Sequence, residues 1–271
     1  MADAPSGGPA VADGLTFRLL GQGIAYSASP AMMAAAFAAL GLPHRYVLAD
    51  VAPDEVPATV AGLRSADAGG ANVTVPHKAA VAALMDELSD LAREADAVNV
   101  VVRDGDRLVG HNTDLPATVD ALQRLRPGGI GHAVVLGAGG AARAVLLALA
   151  HVGAVQTSTL RRSDGSMAHL ADELAAADLL VNATPVGTGS DASPVPAALL
   201  RPGLAVLDLV YRPSPTRLVR EARAAGAPAE AGAGILLGQA CRSLELWLGG
   251  VAPVEAMRAA LDAELGGRSD A

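Results

Sequence analysis

Short apolar runs alternate along the chain with longer stretches whose apolar positions recur every three or four residues, the signature of strands followed by packed helices. TFRLL (16–20) reads as the first strand and enters GQGIAYSASPAMMAAAFAALGL. There Ser29 is placed as an N-cap with Pro30 at the first helical position, an alanine-rich run carries the helix to Leu40, and Gly41 ends it. His44 to Asp50 is the second strand, and VAPDEVPATVAGL is a capped helix that stops before a loop at Gly69 and Gly70. Ala71 to Val75 follows as a strand, with Pro76 at a helix start and Lys78 in its first turn. Residues 87–96 read as a short amphipathic helix, and AVNVVV and RLVG as a hairpin bending at Asp104-Gly105. The hairpin delivers HNTD (111–114) to a helix that begins near Leu115 and is capped by Asn112 or Thr113.

The second half repeats a strand–helix alternation. After RPGG at 126–129, a plausible boundary, come a strand at Ala133 to Leu136, a glycine turn, an alanine-rich helix and a strand at Gln156 to Leu160. A helix ends over Asp172 to Ala177, DLLVNATPVGTG reads as strand then turn, and a buried strand runs to Val210. A helix stopped by Gly226 precedes AEAGAGILLGQACRSLELWLG, and a last helix, Pro253 to Leu265, returns to pack on the first half. The expected class is α/β in two domains flanking a cleft. Residues 1–117, completed by helices from about 240 to 271, form one domain, and 118–239 form a Rossmann-like dinucleotide domain.

Composition narrows the chemistry. Apolar residues make up 51% of the 271, but aromatics only 2%, so the core is built from Ala, Val and Leu and no aromatic binding platform is expected. A net charge of −8 and the lack of a basic run argue against nucleic acid. No apolar run reaches the roughly 18 residues of a membrane span. The single cysteine, Cys241, fits a cytoplasmic location. MADAPSGGPAVADG (1–14) reads as a disordered leader rather than a signal peptide. No zinc, calcium or iron–sulfur ligand spacing and no G-x-S-x-G elbow is present, so no metal site is expected.

The strongest local signal is VVLGAGGAAR, Val134 to Arg143, a strand and a glycine turn opening a helix. Gly137, Ala138, Gly139, Gly140 and Ala141 are placed against a dinucleotide pyrophosphate, and Ala142 at the sixth position still permits close helix packing. An NAD-specific fold usually carries an acid at the end of the next strand. Here the chain reads Leu160-Arg161-Arg162-Ser163, which favours the 2′-phosphate of NADP, the other reading being an exposed basic turn. Asn182 and Thr184 fall at the C-terminal edge of their strand, where open α/β sheets bind ligands, and Val210 and the glycine-rich start at Gly232 complete the cofactor set. On the other side, Ser27 either closes a turn or faces a ligand together with Ser29. Lys78 opposes its helix dipole and asks for an anionic or hydroxylated partner unless it is simply a surface lysine. Asp114 is comfortable in a first turn, as a structural carboxylate or a working one. His77 reads as exposed or structural, and Gln239 as a polar residue in an apolar stripe that needs a partner.

Together these segments resemble the shikimate dehydrogenase family, including quinate/shikimate dehydrogenases, over nearly the whole chain after Phe17. YSASP looks like the serine pair that holds the substrate carboxylate, and NVTVPHK matches N-V-T-x-P-x-K. The resemblance implies Lys78 and Asp114 as the catalytic pair, with Ser27, Ser29, Thr74, Asn99, Tyr211 and Gln239 around a small hydroxylated ring carboxylate. It also implies Arg162 on the adenosine 2′-phosphate and NADPH-dependent, reversible reduction of 3-dehydroshikimate in aromatic amino acid biosynthesis, by a monomer or homodimer. Departures fall at Tyr26, where histidine is common, at Gln22-Gly23, at Leu-Pro-Ala after Asp114, at Arg161-Arg162-Ser163 for N-R-T, and at Thr188 and Ile235 for methionine. Quinate or an amino analogue, and NAD, therefore remain open as alternatives. A methylene-tetrahydrofolate dehydrogenase would want a stacking aromatic, and a regulatory protein on this fold would bind NADP without turnover.

Overall fold

The computed structural model describes residues 14–266, so the leader assigned to 1–14 falls almost wholly outside the described residues. Two sheets organise the chain. The first takes β1 (Thr16–Gly21), β2 (Arg45–Asp50), β3 (Ala68–Val73), β4 (Glu87–Leu88), β5 (Val100–Asp104) and β6 (Arg107–His111), in the order β2-β1-β3-β5-β6-β4. β1 is parallel to both β2 and β3, while β5 runs antiparallel to β3 and β6. Its helices are α1 (Ser29–Ala39), α2 (Val56–Gly62), α3 (Lys78–Ala82) and α4 (Asp90–Ala95). α5 (Asp114–Leu125) then leads to the second sheet.

That sheet is all parallel: β7 (His132–Leu136), β8 (Gln156–Leu160), β9 (Leu179–Asn182), β10 (Ala205–Asp208) and β11 (Ala229–Ala231), ordered β11-β10-β9-β7-β8. α6 (Gly140–His151), α7 (Leu170–Ala176) and α8 (Arg217–Ala224) cover it. The chain order reverses beside β7, so the crevice at that strand's C-terminal end is where a ligand is expected to sit. α9 (Ala233–Leu248) and α10 (Val254–Gly266) return to the first sheet, whose core joins Phe17, Met32, Phe37, Leu244, Met257 and Leu261. The last helix thus packs on the first half, as its sequence position suggested.

Several local expectations change. Ser29 opens α1 but does not cap it: Ala28 holds the cap position without a side-chain bond, and the Ser27 hydroxyl accepts from the Ser29 N–H at 3.2 Å. Gly69 and Gly70 lie inside β3 rather than in a loop. A Cβ on Gly69 would sit 2.4 Å from the Phe17 ring, so the missing side chain admits that ring and the strand continues through. The helix expected over 87–96 begins only at Asp90, where Ser89 accepts from the Ala92 N–H, because Glu87 and Leu88 pair with β6. The hairpin bends one residue later, across Gly105-Asp106. The glycine-rich stretch before α9 contains the short strand β11, which its composition did not signal.

Candidate active site

α3 and α5 both start at one crevice, and their first residues meet there: Lys78 Nζ lies 2.6 Å from Asp114 Oδ2. Each backbone is held. The Lys78 carbonyl accepts from the Val98 N–H at 3.1 Å, and the Asn112 side chain caps α5 by accepting from the Leu115 N–H at 3.0 Å. Thr113 is pinned from both ends by Asn99, whose Oδ1 accepts the Thr113 N–H at 2.7 Å and whose Nδ2 donates to the Thr113 hydroxyl at 2.9 Å. Asp114 therefore projects from a helix start, where the dipole favours its negative charge, and gives Lys78 the partner its own position lacks. The two side chains are 32% and 25% exposed, so the pair faces the crevice without being sealed from it.

A chain of buried polar groups stands behind this pair. Asn72 accepts from the Tyr46 hydroxyl at 2.8 Å and donates to the Asn99 carbonyl at 3.1 Å and to the Ser243 hydroxyl at 2.9 Å. Ser243 donates to the Gln239 carbonyl at 2.8 Å, and Thr113 to the same oxygen at 3.1 Å. Burial pushes the Tyr46 phenol far above its ordinary range, against a smaller opposing effect of the Ser29 hydroxyl bonded to it. The network joins β2, β3, α5 and α9, and positions Ser29, Asn99 and Gln239 together. Sequence reading missed Tyr46, Asn72, Thr113 as a bonded link, and Ser243. The available signal was a serine four residues beyond Gln239, on the same helix face.

The crevice encloses about 930 Å³. Ser27, Ser29, Thr74, Lys78, Asn99, Asp114, Tyr211 and Gln239 all line it, so every residue expected on the substrate side reaches one space. Tyr211 sits near Tyr26, and burial, with a smaller contribution from that neighbour, pushes its phenol up to about 12. Tyr211 is thus a neutral hydroxyl at neutral pH. Gln239 finds its partner within α9, donating to the Leu236 carbonyl at 2.9 Å. His77 is structural: it is 2% exposed, with Nε2 2.7 Å from the Val51 carbonyl.

The opposite wall belongs to the second sheet. Gly137 turns at φ +110°, and a Cβ there would lie 2.9 Å from the Ala183 carbonyl, so only glycine fits the turn. Above Gly139, the N-cap of α6, and Gly140, no atom lies within 4 Å of an added Cβ. A pyrophosphate can therefore approach the start of α6, where the first N–H groups have no partner within the helix. Gly140, Ala141 and Gly232 line the main crevice, and Ala138 is exposed beside them. Thr184 and Val210 line an adjoining cavity of about 310 Å³ that also touches Tyr26, Ala141 and Tyr211.

Two cofactor assignments are reshaped by the geometry. Asn182 is fully buried, its Nδ2 donating to Asp208 Oδ1 at 2.8 Å and its Oδ1 accepting from the Thr184 hydroxyl at 2.6 Å. Its side chain organises the turn that presents Thr184 instead of facing the crevice. Arg161 is paired with Asp164 at 2.9 Å, while Arg162 and Ser163 are exposed and Arg162 has no ion pair among the described residues. Arg143, which also lines the crevice, was not singled out from the sequence. Among the described residues no group of three or more His, Cys, Asp or Glu is arranged to hold a metal, and no helix is long and apolar enough to cross a membrane.

Residues 19–101 match the family model of the shikimate dehydrogenase substrate binding domain, and residues 232–261 that of the shikimate 5′-dehydrogenase C-terminal domain. The chain is 43% identical to shikimate dehydrogenase (NADP(+)) of Halorubrum lacusprofundi, across 92% of this chain and 98% of that protein. Among solved structures, shikimate 5-dehydrogenase from Thermus thermophilus, in complex with NADP(H) and shikimate, superposes with a TM-score of 0.81 at 38% identity, over 93% of this chain and 100% of that one. Quinate dehydrogenase from Corynebacterium glutamicum, in complex with NAD, gives a TM-score of 0.83 at 28% identity, over 93% and 99%. Near-complete coverage of both chains at these identities leaves one conclusion: the chain belongs to the shikimate dehydrogenase family.

Proposed function

We propose that the protein catalyses the NADP-dependent interconversion of 3-dehydroshikimate and shikimate, with Lys78 and Asp114 as its catalytic pair. The observation that carries this reading is the 2.6 Å Lys78–Asp114 contact facing the crevice opposite the glycine turn. On this reading the domain of residues 1–117, completed by helices from about 240 to 271, takes the substrate, the domain of 118–239 takes NADP, and the protein acts in the cytoplasm.

NADP, when bound, supplies the hydride acceptor or donor. The turn at Gly137 to Ala141 would hold its pyrophosphate at the α6 N-terminus, Arg162 would meet its 2′-phosphate, and Thr184, Val210 and Gly232 would border the rest. Ser27 and Ser29 present hydroxyls to the substrate carboxylate, and Thr74, Asn99, Tyr211 and Gln239 bond ring hydroxyls. Lys78 donates its Nζ proton to the oxygen that develops negative charge during carbonyl reduction, and takes one back in the reverse direction. Asp114 keeps that amine oriented, and accepts from a neighbouring substrate hydroxyl. Proton transfer of this kind contributes roughly 10²- to 10⁴-fold.

A second reading, a quinate/shikimate dehydrogenase that also accepts NAD, is favoured by Tyr26 and Ile235 in the crevice wall and by the likeness to the quinate enzyme. Steady-state kinetics with shikimate and quinate, each with NADP and NAD, decides between the two. The proposal expects the highest kcat/KM for shikimate with NADP; a higher value for quinate refutes it, and NADP binding without turnover marks a regulatory protein.

A further inference from the structure

The chain lacks an acid at the end of β8, but the fold brings one back. The Gly137 N–H donates to the Leu160 carbonyl at 2.9 Å, so the loop that leaves β8 starts beside the glycine turn and borders any dinucleotide placed there. Within that loop Asp164 folds onto Arg161: Oδ2 lies 2.9 Å from Arg161 Nε. Oδ1 accepts from the Ser166 hydroxyl at 2.6 Å and the Ser166 N–H at 3.0 Å. The Ser166 hydroxyl oxygen accepts in turn from the Arg161 N–H at 2.8 Å. The two Ser166 bonds hold the Asp164 carboxyl below the usual carboxylate range, so the carboxylate is charged at neutral pH. The loop therefore presents one committed guanidinium, one uncommitted guanidinium and one carboxylate where the sequence pattern suggested two free cations.

Resting on the NADP reading above, we propose that Asp164 is a specificity-determining residue that limits the preference for NADP over NAD: it engages Arg161 and leaves Arg162 alone to meet the 2′-phosphate. The carboxylate also belongs to the same short loop as Arg162, so its charge opposes a 2′-phosphate dianion drawn to that guanidinium. A dinucleotide without that phosphate is indifferent to both effects. The net charge that the loop offers rises by one unit when Asp164 is neutralised and falls back when Arg161 is removed as well.

The test is a double-variant cycle read in two ways, as the ratio of kcat/KM for NADP to that for NAD and as the ratio of the two dissociation constants for the free protein. Asp164→Asn is expected to raise both ratios roughly three- to tenfold, the effect of one surface charge on a dianion, and the gain should shrink in high salt. Asp164→Asn/Arg161→Ala should return both to within about twofold of the starting protein. Unchanged or lower ratios in the single variant, or a gain that persists in the double variant, overturn the inference. Asp164 is exposed, and a melting curve on each variant confirms that the fold is retained. Should the unaltered protein bind both dinucleotides yet oxidise neither shikimate nor quinate, the proposed activity fails while the dissociation-constant ratio still decides the role of Asp164. Failure to bind either dinucleotide overturns both.

Discussion

Asn72→Ala probes the polar chain behind the catalytic pair. The substitution removes three side-chain hydrogen bonds, with the Tyr46 hydroxyl, the Asn99 carbonyl and the Ser243 hydroxyl. At about 1 kcal/mol net for each, the loss is about 3 kcal/mol. The three partners are not equally harmed. The Asn99 carbonyl still accepts from the Val73 N–H, and Ser243 still donates to the Gln239 carbonyl. The Tyr46 proton loses its Asn72 acceptor, inside a core where the ring is 9% exposed, so that donor carries the largest single share of the cost. Urea unfolding should therefore show Asn72→Ala less stable by about 3 kcal/mol, a large part of the roughly 5–15 kcal/mol typical of a folded protein. Adding Tyr46→Phe should recover about 1 kcal/mol, because it deletes the stranded group. The KM for shikimate should rise as well, since Ser29 and Asn99 hang on the same chain. A loss below about 1 kcal/mol, or a Tyr46→Phe cost that simply adds, refutes the reasoning.

Other expectations follow from single groups. Burial raises the pKa of Asp208 above its ordinary 3.8, against the bonds from Thr216, Val210 and Asn182, so the folded state binds that proton more tightly than the unfolded chain does. Its contribution is then most favourable at low pH and is lost as pH rises above about 4. Asp208→Asn should gain in melting temperature relative to the parent as pH is raised from about 4 to about 7, and a constant difference contradicts this. Tyr211→Phe should raise the KM for shikimate roughly three- to tenfold through one lost hydrogen bond, with kcat changed less. Because the Tyr211 phenol titrates near 12, the variant should leave the pH profile below about 10 unaltered; loss of a titration step there refutes its assignment as a neutral donor.

What was legible in the sequence is what depends on local geometry. β8 ends at Leu160 as expected, and the turn from Gly137 opens α6, because a strand, glycines and an alanine-rich run need only near neighbours to declare themselves. Lys78 and Asp114 were legible as a pair only through the family resemblance. The structure brings them together because the β5–β6 hairpin carries the chain from the loop at Val98 to the start of α5. The polar network stayed hidden because Asn72 and Ser243 are 171 residues apart, and only the return of α9 onto β3 makes them neighbours. Ser29 looked like a cap because Ser-Pro fits the pattern, but its hydroxyl bonds Tyr46 in the crevice wall, and the Ser27 hydroxyl takes the Ser29 N–H in the turn. Asn182 does end β9, as its strand position suggested, yet Asp208 on the neighbouring strand claims its amide.

The proposed proton transfer depends on the amine of Lys78. With shikimate and NADP at saturation, Lys78→Ala should lower kcat by roughly 10²- to 10⁴-fold, while the dissociation constants of both ligands stay within about tenfold. A kcat within tenfold of the unaltered protein would remove Lys78 from proton transfer, and with it the mechanism drawn from its 2.6 Å contact with Asp114.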